Sequence, residues 1–442
     1  MWVSPASAQL SDGTTISSGV TDRADTTSTP FRSEVWDIER IGNVMYVGGA
    51  FTRVSDSNTS ISQAYLAAFA ADSGRYLPGF SPNLDGAVFA LQASSDGSRL
   101  FVGGEFSQVN GQVQGGLVAL DPTTGATDGR WKVAVSGARG AVRALETQGR
   151  WVYAAGRFTQ VDFDAGSLSV SNAIRVDQGS GSVDSVWRPR VSGGIWGVAA
   201  SPSTNRVYLA GTFSRVAGRD FEGFVATNDA DGAALEGIRV PYTDVRSRTH
   251  IMQSVLVVNG LVFVGGSQHT TLVYRESDWT LLHHHLTRTG DANAASTVTA
   301  GGDTQDIELH NGLVYVACHC FGQVFSDTSL ITYYTADGLR PFPTTTNTRP
   351  VNGIYALNPS TGERVDNFAP RLTGIGGPWA LKGNPNDGCL WTGGNISRVA
   401  GQDVDNLVRY CANGVIPARP TPPTPAPPTP CLPPRWRTLR WG

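Results

Sequence analysis

The sequence lacks several features that would narrow its function. Only two of its 34 basic residues are lysines, Lys132 and Lys382, and no block of basic residues occurs in it. The positive footprint of a nucleic-acid binder is missing, in keeping with a net charge of -3. No segment approaches the run of about 18 apolar residues that a membrane span needs. We therefore expect neither a nucleic-acid partner nor a membrane span.

Signatures of catalysis are missing as well. The chain has no Gly-x-Ser-x-Gly elbow, no His-Glu-x-x-His pair, no phosphate-binding P-loop and no complete repeated Asp-box. The catalytic carboxylates of glycosidases carry no local motif, so this weakens an enzymatic function without excluding it. We predict no catalytic residues, and an enzyme is the alternative.

One pattern occurs seven times. An apolar strand and a tight turn lead into a Gly-Gly-x-Phe-[Ser/Thr] step, as in LFVGGEFSQV from Leu100. The step begins at Gly48, Gly103, Ala155, Ala210, Gly265, Ala317 and Gly393. Repeats of this length with several short strands are typical of β-propeller blades. We predict an all-β fold, a seven-bladed β-propeller of four-stranded antiparallel blades.

The last repeat ends at Cys411 after three strands, so we expect the N-terminal segment, within residues 14–32, to close the last blade. We assign residues 1–8 to the remnant of a secretory signal, because Ala6-Ser7-Ala8 resembles a cleavage site. The propeller takes residues 9–412. Residues 413–442 form a Pro/Thr-rich linker and a disordered tail, which predicts further domains in a longer chain.

The cysteines indicate an oxidising compartment. Cys389 and Cys411 begin and end two strands that would pair across a hairpin, so we predict a disulfide that clamps the last blade. We predict a second bridge between Cys318 and Cys320, whose spacing is too short for known structural zinc sites. Together with the Pro/Thr-rich linker, these two disulfides predict a secreted or cell-surface protein.

The blade motif DGSRLFVGGEFSQVNGQ, followed by GLVALDPTTG, resembles the bacterial delta-60 repeat β-propellers. This resemblance implies a secreted or surface-exposed propeller without established catalytic residues. Leu120 to Gly125 also resembles, more weakly, the blade motif of quinoprotein dehydrogenases, whose eight blades the seven copies do not reproduce.

The double glycine and the long loops have different predicted roles. Without a Cβ, the glycines let the second strand bulge or approach the next blade, and the following Phe fills the gap between blades. The long segments, 55–63, 162–171, 286–303 and 321–352, all join second to third strands or cross between blades, and so share one face. Unequal insertions on one face of a regular scaffold predict a binding surface there.

Two sets of residues are candidates for binding. The fifth and sixth repeats break the Phe rule and gather polar residues, which are Arg246, Arg248, Gln268, His269, His283, His285, Asp303 and His319. Long hydrogen-bonding residues precede the Val of five motifs and could line a rim or hold their own loops, and these are Arg53, Gln108, Gln160, Arg215 and Arg398. For the three histidines from His283, packing on an outer strand or a solvent-facing role is the simpler interpretation.

We predict no bound cofactor. Calcium is the metal that the acidic pairs Asp162/Asp164 and Asp403/Asp405 would accept, although neither pair is dense in ligands; zinc and a quinone cofactor are disfavoured. The predicted function is a secreted or surface-displayed non-catalytic module that binds an extracellular glycan or protein through its variable loops. The alternatives are an extracellular enzyme, either a polysaccharide hydrolase or lyase or a quinoprotein-like oxidoreductase, and a structural spacer.

Overall fold

A computed structural model describes most of the chain. The described residues are 18–21, 35–56, 59–238, 240, 251–267, 270–289, 302–326, 334–335, 338–339, 348–365, 368, 370, 372–373 and 377–411. Within these ranges there are strands, turns and bends and no helix. The all-β prediction is confirmed.

Each sequence repeat folds into an antiparallel meander, which we call a unit and number in chain order. Units one to three consist of Val35–Ile41, Val44–Gly49 and Leu66–Ala70; Val88–Ala93, Leu100–Gly104 and Leu117–Leu120; and Ala141–Gln148, Trp151–Arg157 and Ala173–Asp177. Unit four consists of Ile195–Ser201, Arg206–Gly211, Phe224–Asn228 and Ala234–Leu235. Unit seven consists of Gly377–Asn384, Cys389–Asn395 and Leu407–Tyr410.

Units five and six are joined into one eight-stranded sheet. Unit five consists of Met252–Val258, Leu261–Gly266, Thr270–Arg275 and Leu281–Thr289. Unit six consists of Thr304–His310, Leu313–Ser326, Thr348–Leu357 and Arg364–Val365. The last strand of unit five pairs with the long second strand of unit six, with His285 opposite Ser326. These strands extend into segments that the sequence predicted to be loops.

The first strands of the units lie side by side. Each packs against the first strand of the next unit, and Gly377–Asn384 of unit seven also packs against Val35–Ile41 of unit one. Hydrophobic clusters fill the spaces between neighbouring units, and the motif phenylalanines Phe51, Phe106 and Phe158 are buried in them. This arrangement of meanders about a common centre is a β-propeller.

The two glycines of the repeat have separate roles. A Cβ on Gly103 would lie 2.6 Å from the Val142 side chain of the next unit, so the first glycine permits close packing between units. A Cβ on Gly104 would lie 2.2 Å from the Ala87 carbonyl oxygen of its own unit. The second glycine therefore makes room for the backbone at the start of the first strand, whereas the close approach to the next unit that the sequence predicted involves the first glycine.

Small hairpins follow the second strand in several units. They are Arg53–Asp56 with Thr59–Ser62, Gln108–Val109 with Gln112–Val113, Gln160–Phe163 with Gly166–Ser169, Arg215–Val216 with Arg219–Asp220, and Arg398–Val399 with Gln402–Asp403. A further short pair joins Tyr334–Thr335 to Gly338–Leu339. All but this last pair leave from the strand ends where the first strands begin, which we call the hairpin edge.

One expected fourth strand takes another place. With four strands in each blade, residues 131–135 are expected to be the outer strand of unit two, but Val133–Ser136 pairs with the hairpin strand Gln160–Phe163 of unit three. Leu372–Thr373 pairs with Arg398–Val399 of unit seven in the same way. The prediction was wrong because the segment that connects unit two to unit three forms its backbone hydrogen bonds with the hairpin of unit three. Within unit two, the third strand is followed by a single β-bridge, between Leu120 and Thr127.

The N-terminal strand Ser18–Thr21 occupies the same kind of position. It pairs with Arg53–Asp56 of unit one, with Val20 opposite Val54. The Val20 amide donates to the Asp405 carbonyl at 2.9 Å, and the Asn406 side chain donates to the Val20 carbonyl at 2.8 Å. The Asn172 side chain donates to the Val191 carbonyl in the same way between units three and four. The strand thus contacts both the first and the last unit.

Both predicted cysteine pairs lie at disulfide-bonding distance. Cys389 and Cys411 flank the paired residues Leu390 and Tyr410, so the expected registration across the hairpin is confirmed. The pair Cys318 and Cys320 is fully buried at the end of the regular part of the second strand of unit six.

The second glycine of the repeat gives a direct test of this packing. In a Gly394→Ala variant, the new Cβ would lie 2.3 Å from the Gly377 carbonyl oxygen and 2.8 Å from the Pro378 Cα. We expect a loss of about 1–3 kcal/mol in the free energy of unfolding, typical of overpacking. Urea unfolding followed by tryptophan fluorescence measures it. The control is Gly129→Ala, where a Cβ meets no atom within 4 Å; equal stabilities of the two variants would contradict this packing.

Candidate functional site

A β-bulge occurs at the same position in the first strand of every unit. In unit one, Val35 pairs with Gly49 and Asp37 with Gly48, so Trp36 is the extra residue. A bulge re-aims the extra side chain and bends the strand. The extra residues of the units, which all line one central cavity, are Trp36, Phe89, Arg143, Trp196, Gln253, Gln305 and Trp379.

These side chains form one layer at the hairpin-edge mouth of a central channel. The cavity there has a volume of about 220 Å³. The Trp36 ring lies 4.5 Å from Phe89 and is stacked 5.8 Å from Trp379. The Arg143 guanidinium carbon lies 4.1 Å from the Phe89 ring centre and 4.3 Å from that of Trp196. At the mouth, aromatic side chains therefore surround the positively charged side chain of Arg143.

Two aspartates beneath the mouth join neighbouring units. The amides of Ile38 and Leu91 donate to the Asp37 carboxylate at 2.7 and 2.6 Å, and Leu91 belongs to the next unit. Asp306 repeats this arrangement, accepting from the Leu381 amide of unit seven at 2.8 Å. Burial raises the pKa of both carboxyls, and the charge of Asp306 raises the pKa of Asp37 further.

Lys382 is the counter-charge of the channel. Its Nζ lies 2.6 Å from Glu39 Oε2, a contact between unit seven and unit one. Burial alone would lower the pKa of Lys382, but the charges of Glu39 and Glu308 outweigh burial and raise it. The lysine is therefore firmly protonated and stabilises the carboxylates around it.

Glu146 and Glu308 line the same cavity and are weaker acids than an ordinary glutamate. Burial raises the pKa of each to about 7, against an ordinary value of 4.5, although Lys382 opposes the shift. Near neutral pH each carboxyl is thus present in both protonation states. Such a group can donate or accept a proton.

The channel opens into a second cavity of about 500 Å³ on the other side of this charged layer. Glu39, Glu308 and Lys382 line both cavities, whereas residues from the turns, such as Asn259 and Pro385, line only the second. The two ends differ in chemistry, because tryptophan and phenylalanine side chains line the first cavity and not the second.

His319, a predicted site residue, lies beside this mouth. Its ring makes an edge contact with Trp379 at 4.6 Å, and the Gln305 side-chain amide donates to its Nδ1 at 3.3 Å. Burial lowers the pKa of His319 to about 4, so the ring is neutral at pH 7. The Asp303 carbonyl accepts from the His319 amide at 2.9 Å, which places Asp303 at the same corner.

His283 and His285 lie elsewhere, on the outermost strand of unit five. Their rings stack at 5.7 Å, so they share one face as the sequence predicted. His285 Nε2 hydrogen-bonds the Gly362 carbonyl at 2.8 Å, and burial lowers its pKa to about 3. These contacts agree with the packing interpretation. The structure therefore does not bring these histidines to His319.

The predicted rim residues bond within their own hairpins. Arg53 donates to Ser60, Gln160 to Asp162, Arg215 to Asp220 and Arg398 to Asp403. Gln108 is exposed, and its backbone N–H donates to Asp85. The side chains of the other four bond within their hairpins, which agrees with the second of the two roles that the sequence left open.

Other predicted site residues, Arg246, Arg248, Gln268 and His269, lie outside the described residues. Of the acidic pairs, Asp164 contacts Lys132 at 3.3 Å and Asp403 contacts Arg398 at 2.8 Å. Within the described ranges, no three His, Cys, Asp or Glu side chains are grouped so as to hold a metal ion. No helix long and apolar enough to cross a membrane occurs in this part of the chain.

The channel residues were not among the predicted site residues. The bulge position varies from Trp to Arg to Gln, so the repeat motif does not reveal it. One signal was present: an aromatic or polar residue follows an apolar one at the start of every first strand except that of unit six, as in Val35-Trp36 and Ile195-Trp196. Aligning the repeats at that point would have placed these residues in one layer.

Comparison with known proteins gives similar folds only. No protein-family model and no curated protein sequence matches the chain. The computationally designed Ika8 protein is 12% identical, with 87% of this chain and 98% of that chain covered and a TM-score of 0.46. The WD40 β-propeller domain of Doa1 is 12% identical over 89% and 96% of the chains, with a TM-score of 0.48. The Myceliophteria thermophila Cps50 (Swd1) β-propeller domain is 9% identical over 86% and 97%, also at 0.48.

Membership of the delta-60 repeat family stays a prediction.

Proposed function

We propose that this chain is a secreted or surface-displayed, non-catalytic binding module that recognises a glycan or a protein at its hairpin edge. The observation that carries the proposal is the layer of bulge residues at the channel mouth. Four aromatic side chains and an arginine converge on one cavity there, next to the hairpins. Concave sites with aromatic walls and a few placed polar groups are typical of ligand recognition.

The proposal includes a ring of seven blades in which Ser18–Thr21 completes the junction between the last and first units. Three contacts support it. Unit seven packs its first strand on that of unit one, Lys382 reaches Glu39, and a Cβ on Gly393 would lie 2.3 Å from the Val35 side chain. The glycine contact repeats the one between Gly48 and Val88 of units one and two.

Secretion is supported by the two cysteine pairs at bonding distance, because disulfides persist mainly outside the cytosol. The Pro/Thr-rich segment after residue 412 agrees with a spacer between this module and further domains.

The test is a glycan and protein array probed with the whole protein and two steric variants of unit two. Glu105→Trp places bulk at the hairpin edge, and Thr123→Trp places it in the turn that follows the third strand, at the other end of the unit; both positions are exposed. We expect the array signal to fall at least about tenfold for Glu105→Trp and to be unchanged for Thr123→Trp, without any product formed. Equal effects of the two variants, or turnover of an array glycan, would contradict the proposal.

A polysaccharide hydrolase or lyase is the second candidate. It is favoured by Glu146 and Glu308, whose pKa values near 7 suit a proton donor in the channel. Release of reducing sugar that disappears in both Glu146→Gln and Glu308→Gln would establish it.

A further inference from the structure

The Arg143 guanidinium contacts aromatic rings and, within the described ranges, no hydrogen-bond acceptor. Its guanidinium is held by the faces of Phe89, Trp196 and, at 5.7 Å, Trp36. Among the described residues, none accepts a hydrogen bond from it or forms an ion pair with it, and it lines the cavity. Cation–π contacts use the faces of the rings and leave the N–H groups of the guanidinium available.

Further polar atoms of the same layer lack partners in the described part of the chain. They are the indole nitrogens of Trp36, Trp196 and Trp379, Gln305 Oε1 and His319 Nε2, all of them buried. The Gln305 side chain is only 8% exposed. Because the amide of Gln305 donates to His319 Nδ1, the proton of this neutral ring lies on Nε2, which is a donor. Buried polar groups are rarely left unsatisfied, so a cluster of them at a cavity points to a ligand.

The charge around the mouth favours an anion. Arg139 and Arg157 lie close enough to Arg143 to lower its pKa, after the larger effect of burial, and only the Glu105 charge opposes them. With a pKa of about 10, Arg143 remains charged at neutral pH. The aspartates below are occupied by backbone amides. Glu39 and Glu308 lie in the deeper layer that the two cavities share, so a ligand that enters from the hairpin edge reaches Arg143 before it reaches these carboxylates.

The size and walls of the mouth restrict the anion further. A guanidinium offers two parallel N–H groups that match a carboxylate. The half-buried tryptophans beside it line the cavity with apolar ring atoms, and their indole N–H groups are hydrogen-bond donors. The volume of about 220 Å³ corresponds to roughly seven water molecules, which suits one sugar ring. A ring that carries a carboxylate and several hydroxyls satisfies all of these features.

We propose that the hairpin-edge mouth of the channel binds a single uronic acid residue, with its carboxylate on Arg143 and its ring against Trp36 and Trp196. The inference rests on the proposed binding function and specifies its ligand class. The residue can come from a free sugar acid or from the end of an acidic polysaccharide, because both present the same carboxylate and ring.

The experiment is isothermal titration of the whole protein with galacturonate and glucuronate, their methyl esters, and the neutral sugars galactose and glucose. Trigalacturonate distinguishes a polysaccharide end from a free acid by binding more tightly than the monomer. We expect binding of at least one acid and a loss of at least about tenfold for its methyl ester, which removes the charge from the ligand alone. This comparison does not depend on any variant folding.

Protein variants complete the test. Arg143→Met should reduce affinity at least about tenfold, and Arg143→Lys should retain part of it. Arg130→Met is the control, since Arg130 is exposed and forms no salt bridge in the described residues. Equal binding of acid, ester and neutral sugar, or no binding of any uronate, would overturn the inference. If the uronate inference fails, an array ligand whose binding Glu105→Trp blocks would still support the proposed binding function. Hydrolysis of trigalacturonate would contradict the proposed non-catalytic function itself.

Discussion

A Val20→Asp variant should lose about 4 kcal/mol or more of its free energy of unfolding, enough to unfold a marginally stable domain. Val20 is fully buried in a cluster with Val35, Trp391 and Leu407, which come from the first and last units. A carboxylate there would have no cation to pair with, and burying an unpaired charge is among the costliest substitutions. Urea unfolding and circular dichroism measure the loss.

The matched control is Val113→Asp, the same substitution at a side chain that is 89% exposed. It should change stability by less than about 0.5 kcal/mol. A chain that begins at Val35, and so lacks the N-terminal strand, should be destabilised like Val20→Asp. Unfolding midpoints that agree among all three proteins and the unaltered chain would show that Ser18–Thr21 is not part of the core.

Lys382→Met should destabilise the protein by about 3–5 kcal/mol at pH 8, the range found when one partner of a buried ion pair is removed. The substitution leaves Glu39, whose side chain is 7% exposed, without its cation. The only other lysine, Lys132, supplies the control. Its side chain is 63% exposed, so Lys132→Met should cost little.

The loss in free energy of unfolding caused by Lys382→Met should depend on pH. Because Glu146 and Glu308 have a folded pKa of about 7, above the ordinary 4.5, their contribution to stability is fully present below pH 4.5 and is lost as the pH rises through 7. Protonated carboxyls also need no counter-charge. We therefore expect the variant to recover much of its stability at pH 5. A deficit that is equal at pH 5 and pH 8 would contradict the charged channel layer.

The repeat made the architecture predictable. Gly103 and Gly104 recur because a Cβ would strike the next unit or the bulge, and such constraints leave a mark in the sequence. The outer strands were mispredicted because Val133–Ser136 alternates apolar residues whether it pairs within its own unit or with the next hairpin. Pairing partners of a short strand depend on tertiary contacts that local pattern does not encode.

The candidate site was predictable only in part. His319 was recognised because it adjoins Cys320, which replaces the motif phenylalanine, and it does lie beside the channel mouth. Arg143 and Trp196 were missed because the bulge position tolerates any side chain that the channel accepts, so it carries no fixed residue type. Lys382 was visible as one of two lysines, but its role depends on Glu39, which is more than 300 residues away in the chain.

A crystal structure of the protein with the uronate that binds more tightly, galacturonate or glucuronate, is the most direct test of the account. We predict electron density for one sugar ring in the cavity beside Trp36 and Trp196, with its carboxylate within hydrogen-bonding distance of Arg143. Density only at the opposite end of the channel, near Asn259 and Pro385, or only in a groove between hairpins, would contradict it.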